Sequence, residues 1–379
     1  MSATLVLDDA QRLLDSAAAD LVARRSPLAR VRDRRAAGDE TGFDRRLWKE
    51  LGDLGWAGIT IPEELGGAGG HLADLAVILE QLGRTIAATP YLSSIVLGAG
   101  LIAALGSDGQ KAAFLPAICS GETLVAVGIQ DGNHHSLDCS VTSAARTGDD
   151  WSLGGAKRLV IDGQVADRLI VLARTPVGLG AFVVRPATAG VTVGARRLLD
   201  HRPIADVRLD DVVVGEGDVL GEPGGIQAAV GRVVDAATAA LAAEMLGSAC
   251  AAFDLTVAYL KDRHQFGVPI GSFQGLQHRA SVWHCDLELA RSVVQDAVRA
   301  VDDDRDDRPA AVSAAKAIMS ELALRSGAEA IQMHGGIGMT DEADPGLYAK
   351  RARVTSTLLG DASYHRRRFA TLKGYLSTT

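Results

Sequence analysis

Residues 259–274 read Tyr259-Leu260-Lys261-Asp262-Arg263-His264-Gln265-Phe266-Gly267-Val268-Pro269-Ile270-Gly271-Ser272-Phe273-Gln274. Long Ala- and Leu-rich runs without interior proline flank this stretch, so it predicts the end of one helix, a turn at Gly267-Val268-Pro269 and the start of the next. Working outward, residues 226 to about 335 read as helices lying side by side. The acidic link Asp302-Asp303-Asp304-Arg305-Asp306-Asp307 fits a solvated turn between two of them. Upstream the texture differs. From Thr123, short β-branched runs such as RLIVLART, AFVVRP and IADVRLDDVVV alternate with turn-forming Gly, Asp and Pro, which predicts strands as far as Gly221-Glu222-Pro223-Gly224-Gly225. Before Thr123 the apolar spacing is helical again, broken at Ile61-Pro62 and at Gly66-Gly67-Ala68-Gly69-Gly70. The reading is an α+β, mainly α chain in three parts: a helical domain at 1–120, a β-domain at 121–225 and a helical bundle at 226–379.

Composition agrees and narrows the function. Of 379 residues, 47% are hydrophobic and 23% charged, which is globular and excludes disordered, collagen-like and disulfide-scaffold classes. Aromatic types reach only 4%, so small aliphatics supply the core and packed helices are favoured over an aromatic-rich sandwich. With 39 basic against 47 acidic residues and a net charge of −8, no positive field is available for nucleic acid. The opening meets Asp8 and Asp9 before any long apolar core and reads as a helix, not a signal peptide. No run reaches the roughly 18 uncharged apolar residues of a spanning helix, so no membrane partner is expected and the cytoplasm is the expected location. Cys119, Cys139, Cys250 and Cys285 lack metal or disulfide spacing and are expected as buried free thiols. The pair His134-His135 lacks further spaced ligands, so no metal site is expected.

Three motifs give the chain a resemblance. Residues 263–274 resemble the acyl-CoA dehydrogenase signature R-x-x-F-G-x-P-I-x-x-F-Q. Gln332-Met333-His334-Gly335-Gly336-Ile337-Gly338 is similar to that family's Q-x-x-G-G-x-G, and residues 48–69, from Trp48 to Gly69, resemble its W-x-x-L-x-x-x-G-W-x-G-x-x-x-P-E-E-x-G-G-x-G. A guanidinium at a helix end suits a pyrophosphate, because it stays charged and offers a planar fork of donors. Glycines after a helix let backbone approach a ligand and present anion-facing amides. The resemblance implies a helical domain, a β-barrel-like middle domain and a C-terminal four-helix bundle. It also implies FAD at a subunit interface of a tetramer. Arg263, Phe266, Phe273 and Gln274 would contact FAD from one subunit, and Gln332, Gly335 and Gly336 its adenosine side across the interface. The implied reaction is α,β-dehydrogenation of an acyl-CoA thioester, with electrons passed to an electron-transfer flavoprotein. Such chemistry needs a carboxylate base in a dry site and donors for the developing enolate.

The chain departs from the family where catalysis is concerned. The stretch matching the base-bearing Y-E-G-T-like loop reads Leu358-Leu359-Gly360-Asp361, with Gly360 at the glutamate position. The alternative base position, on the helix before the arginine motif, holds Ala237. Two carboxylates remain as candidate bases. Glu244, in Ala239-Ala240-Leu241-Ala242-Ala243-Glu244, lies on nearly the same helix face as Ala237; its alternative role is an ion pair inside the bundle. Asp361 stands one position after Gly360; its alternative role is a helix N-cap. In the middle domain the T-E-P-x-x-G-S-like loop is replaced by Ile129-Gln130-Asp131-Gly132-Asn133-His134-His135-Ser136, and W-x-T by Leu159-Val160-Ile161. These departures are similar to an actinobacterial branch that includes heterotetramers, some acting on sterol side chains in β-oxidation. Two readings therefore stand: an acyl-CoA dehydrogenase in its own right, and a half-site partner for a homologous chain.

Overall fold

The computed structural model describes residues 7–39 and 41–376. Its helices are α1 (Asp9–Arg25), α2 (Ala29–Ala36), α3 (Arg45–Asp53), α4 (Leu72–Arg84), α5 (Gly100–Leu105), α6 (Asp108–Cys119), α7 (Gln227–Asp262), α8 (Gln274–Asp302), α9 (Arg308–His334), α10 (Pro345–Thr355) and α11 (Ala362–Leu372). The strands are β1 (Val125–Gly128), β2 (Ser143–Thr147), β3 (Asp150–Ile161), β4 (Arg168–Thr175), β5 (Gly178–Val184), β6 (Val191–Arg197), β7 (Pro203–Val214) and β8 (Val219–Leu220), followed by a short pair, β9 (His264–Gln265) and β10 (Val268–Pro269). Helices, sheet and helices thus follow in the expected order. The chain packs as two compact units. One comprises Met1–Ala36, Leu72–Ala87 and Thr238–Thr379; the other comprises Ala37–His71 and Ala88–Ala237.

The second unit is built on a mixed sheet of eight strands in the order β6-β7-β3-β2-β4-β5-β8, with β1 parallel to β4. Alternate strand residues face its core, as the period-2 pattern requires: Trp151, Leu153, Val171, Phe182 and Leu209 share one buried cluster. The Trp151 and Phe182 rings meet at 5.4 Å. Helical elements of this unit include a π-helix over Tyr91–Ala99 that runs into α5, and α6, whose Ser107 cap and Gln110 form a reciprocal capping box.

The first unit is helical. The backbones of α4 and α7 approach closely where they cross. A Cβ on Gly83 would lie 2.1 Å from the Glu244 carbonyl oxygen, and one on Gly247 would lie 1.9 Å from that of Glu80. Two glycines therefore let the backbones touch, which fixes where Glu244 stands. The most apolar 18-residue window of α7 has a mean hydropathy of 1.4, and 89% of it is buried, as in a core helix. Trp283 on α8 is buried, donates to Ser326 Oγ on α9 at 2.8 Å and meets Phe253 of α7 edge-on. The acidic link between α8 and α9 is more than a solvated turn. The Asp302 carboxylate accepts from the Leu72 and Ala73 amides at 2.7 and 2.9 Å and so caps α4, while Asp304 pairs with Arg308 and Asp307 with Arg305. Free helix amides attract a carboxylate whatever its distance along the chain.

Three cysteines are buried as expected, but Cys285 is exposed. It lies on the outward face of α8, whose inward face is taken by Trp283 and Leu287.

Candidate cofactor site

The nine residues named as candidate bases or FAD contacts, from Glu244 to Asp361, all lie in the helical unit. α7 ends at Asp262, and the Arg263 amide makes the last helical bond, to Tyr259 O at 2.8 Å. The chain then forms a two-residue hairpin in which His264 pairs with Pro269 and Gln265 with Val268. Its tip is Phe266-Gly267, at φ +55° and +81°. Positive φ at both central positions suits the right-handed twist of a hairpin, and Gly267 accepts it freely. A phenylalanine there is strained, a feature that concentrates at active sites and ligand clamps. Phe266 is also 92% exposed, and its one aromatic neighbour among the described residues is Phe273, edge-on at 6.2 Å.

Arg263 is exposed, and its guanidinium has no hydrogen-bond partner among the described residues. Past the hairpin, α8 starts at Gln274 behind Phe273, with no side chain capping its first amides. An uncapped helix N-terminus and an unpaired guanidinium on adjoining segments form a donor set for an anion.

The glycine motif ends α9. Gly335 lies at φ +67° and ψ −145°, a region that is essentially glycine's alone. A Cβ on Gly335 or Gly336 would meet nothing within 4 Å, whereas one on Gly338 would run into Ile331 O at 2.6 Å. Gly338 is required by packing; Gly335 and Gly336 leave an open, exposed face beside exposed Gln332. Beneath them His334 is buried, stacked on Tyr259 at 4.3 Å, with Nδ1 2.7 Å from Ala330 O. Burial lowers its pKa below the usual histidine value. The segment that follows is clamped by α2: Arg32 donates to Asp341 O at 2.8 Å and pairs with Asp344 at 2.6 Å, and Arg35 pairs with Asp341. The free guanidinium and the uncapped amides offer donors that fit a diphosphate, and the open glycine face leaves room for a ligand against the backbone, so the residues present fit parts of FAD.

Both candidate bases are engaged. Glu244 is buried, and its Oε1 is 2.6 Å from Nη1 of Arg351 on α10; Arg351 also donates to Ile86 O at 3.2 Å. Asp361 Oδ1 accepts from the Tyr364 amide at 2.8 Å and caps α11. Each carboxylate is thus found in the alternative role considered for it.

In the sheet unit, Leu159 sits at φ +54° where β3 slips register between Lys157 and Val160. The loop at 129–136 is tied to this strand by buried Lys157, whose Nζ donates to Asp131 at 2.7 Å and to Ile129 O at 3.0 Å. Burial pushes the Asp131 carboxyl up, but Lys157 and Thr142 outweigh it and hold the group below its ordinary value. Among the described residues no group of three or more His, Cys, Asp or Glu is placed to hold a metal ion.

The sequence reading missed Arg351, Lys157 and Lys316. Lys316 on α9 is wholly buried, its Nζ bonded to Ser320 Oγ, Ser356 O and Gly360 O. The available signal was a lone charge in an apolar run, as in Ser313-Ala314-Ala315-Lys316-Ala317-Ile318-Met319.

Comparison with known proteins gives this geometry a family. The acyl-CoA dehydrogenase N-terminal domain matches residues 8–122 and the acyl-CoA dehydrogenase C-terminal domain matches residues 224–371. The Mycobacterium tuberculosis protein named acyl-CoA dehydrogenase IpdE2 is 33% identical over 350 residues, 92% of this chain and 92% of its own. A variant of the Tcur3481-Tcur3483 steroid ACAD superposes with a TM-score of 0.88 at 30% identity, over 98% of this chain and 99% of its own. The ChsE4-ChsE5 complex from Mycobacterium tuberculosis gives a TM-score of 0.89 at 26% identity, over 99% and 100%. The chain belongs to the acyl-CoA dehydrogenase family of FAD-binding oxidoreductases.

Proposed function

We propose that this chain acts in the α,β-dehydrogenation of an acyl-CoA thioester, in the cytoplasm, as a subunit of a homotetramer or of a heterotetramer with a homologous chain, with an electron-transfer flavoprotein as electron acceptor. The observation that carries the reading is the donor set of Arg263, the open α8 N-terminus and the Gly335-Gly336 face. Bound FAD supplies the two-electron oxidant for the Cα–Cβ bond. Arg263 neutralises diphosphate charge, and Gln274 with the first α8 amides orients it. Phe266 and Phe273 shield that end from water. Gln332, Gly335 and Gly336 receive the adenosine side of a dinucleotide held by a neighbouring subunit.

The state of the two carboxylates favours the partner-subunit reading. A base takes up a proton and loses its charge, which in Glu244 would break a buried ion pair with Arg351. In Asp361 it would weaken the cap of α11. The proton acceptor is then supplied by the homologous chain, and this chain completes the dinucleotide site. Purification tests both readings. Yellow protein from this chain alone whose flavin is bleached by acyl-CoA supports an autonomous enzyme; bleaching that appears only after co-purification with a homologous chain supports the partner role. Lack of bound flavin in every pairing would defeat both.

A further inference from the structure

The segment between α10 and α11, where the family's base-bearing loop would stand, is held at three carbonyls, those of Ser356, Leu359 and Gly360, by side chains from the bundle. Lys316 Nζ lies 3.2 Å from Ser356 O and 2.8 Å from Gly360 O, with its third contact to Ser320 Oγ at 3.0 Å. Ser320 Oγ also donates to Ser356 O. His365, 1% exposed, bonds through Nε2 to Leu359 O at 2.9 Å. Three oxygens surround the Lys316 nitrogen, matching the three donors it carries when protonated; burial lowers its pKa to about 7. Held this way, the backbone takes φ +55° at Leu359 and φ +103° at Gly360. The first is strained for leucine, and the second is glycine territory.

The space at position 360 is closed as well. A Cβ there would lie 2.5 Å from Tyr364 Cδ1 and 2.8 Å from His365 Nε2. Neither neighbour is a pliant chain end. The two rings pack edge to face at 5.0 Å, and the Tyr364 amide is held by the Asp361 cap.

We infer that Lys316 is a positioning residue which locks residues 356–360 into a conformation that excludes any side chain at position 360, so that a carboxylate placed there does not rebuild a base. This deepens the proposed function and rests on it only in taking Gly360 as the family's base position; the lock itself stands on the geometry above.

The test is a double-mutant cycle in the full chain, purified with its homologous partner if it needs one. Gly360→Ala should lower the thermal midpoint by several degrees in the wild-type background. In Lys316→Met it should lower it by less than half as much, because the released segment can relax around the new methyl. Equal losses in the two backgrounds overturn the lock. Ser320→Ala, a milder change that removes one of Lys316's contacts, serves as a second background if Lys316→Met does not fold, and there too the Gly360→Ala loss should shrink. In the same preparations Gly360→Glu should give no rise in acyl-CoA-dependent flavin bleaching over wild type; a tenfold rise overturns the inference. A protein that bleaches in no pairing refutes the proposed dehydrogenation, while the thermal cycle still decides for or against the lock.

Discussion

Arg263 leaves the last turn of α7 with its charge unspent inside the chain. If that charge meets diphosphate, the fork geometry matters as well as the sign, since lysine keeps the charge but loses paired donors. Arg263→Lys should weaken FAD retention by about tenfold and Arg263→Ala by about tenfold to a hundredfold, measured by flavin release on dilution, with the thermal midpoint of the apoprotein unchanged. His334 makes a pH prediction. Burial lowers its pKa in the folded chain, so below the ordinary histidine value the unfolded chain binds the extra proton and the folded chain resists it. The stability tied to His334 is present above about pH 6.5 and is lost as pH falls toward the lower folded value. His334→Asn should flatten that acid limb in melting curves recorded between pH 7.5 and 5. Residues of this kind differ in how legible they were. Arg263 and the glycines stand in motifs whose spacing is local, whereas Lys316 meets Gly360 across 44 positions and Glu244 meets Arg351 across 107. No pattern in a single sequence pairs such distant charges.

At the scale of elements, the helix crossing at Gly83 and Gly247 sets Glu244 against α10, and the ion pair with Arg351 ties α7 to α10. Breaking one side of a buried pair is expected to cost about 3–5 kcal/mol. Glu244→Gln should show that loss in denaturant titration, and in an assembly whose base comes from elsewhere it should leave acyl-CoA bleaching of the remaining folded protein intact. Bleaching abolished with flavin and fold retained would instead make Glu244 the base. The hairpin between α7 and α8 was legible as a turn from Gly267 and Pro269, but the left-handed backbone of Phe266 was not, because nothing in its side chain favours that conformation. Leu159 is a parallel case. Its run reads as plain strand, yet β3 slips register there, and the slip depends on pairing with β7 that only the folded sheet reveals.

At the scale of the whole molecule, the order of helices, sheet and helices was readable because periodicity and turn residues change sharply near Thr123 and Gly225. What the periodicity leaves open is grouping. Residues 7–36 and 72–87 pack with the C-terminal helices, while 41–71 and 88–119 pack with the sheet. A carboxylate in the α8–α9 link caps α4 230 residues away, a tie made by geometry and invisible to local spacing. The family assignment needed neither, since its motifs are contiguous.

Of the four thiols in the chain, only the one on α8 faces outward. A maleimide dye should therefore couple to native protein once per polypeptide, at Cys285, and to all four cysteines after denaturation. A single fluorophore on a helix turns photobleaching steps into a count of copies of this chain in each particle, so whether it assembles with itself or with another chain becomes readable without engineering a tag.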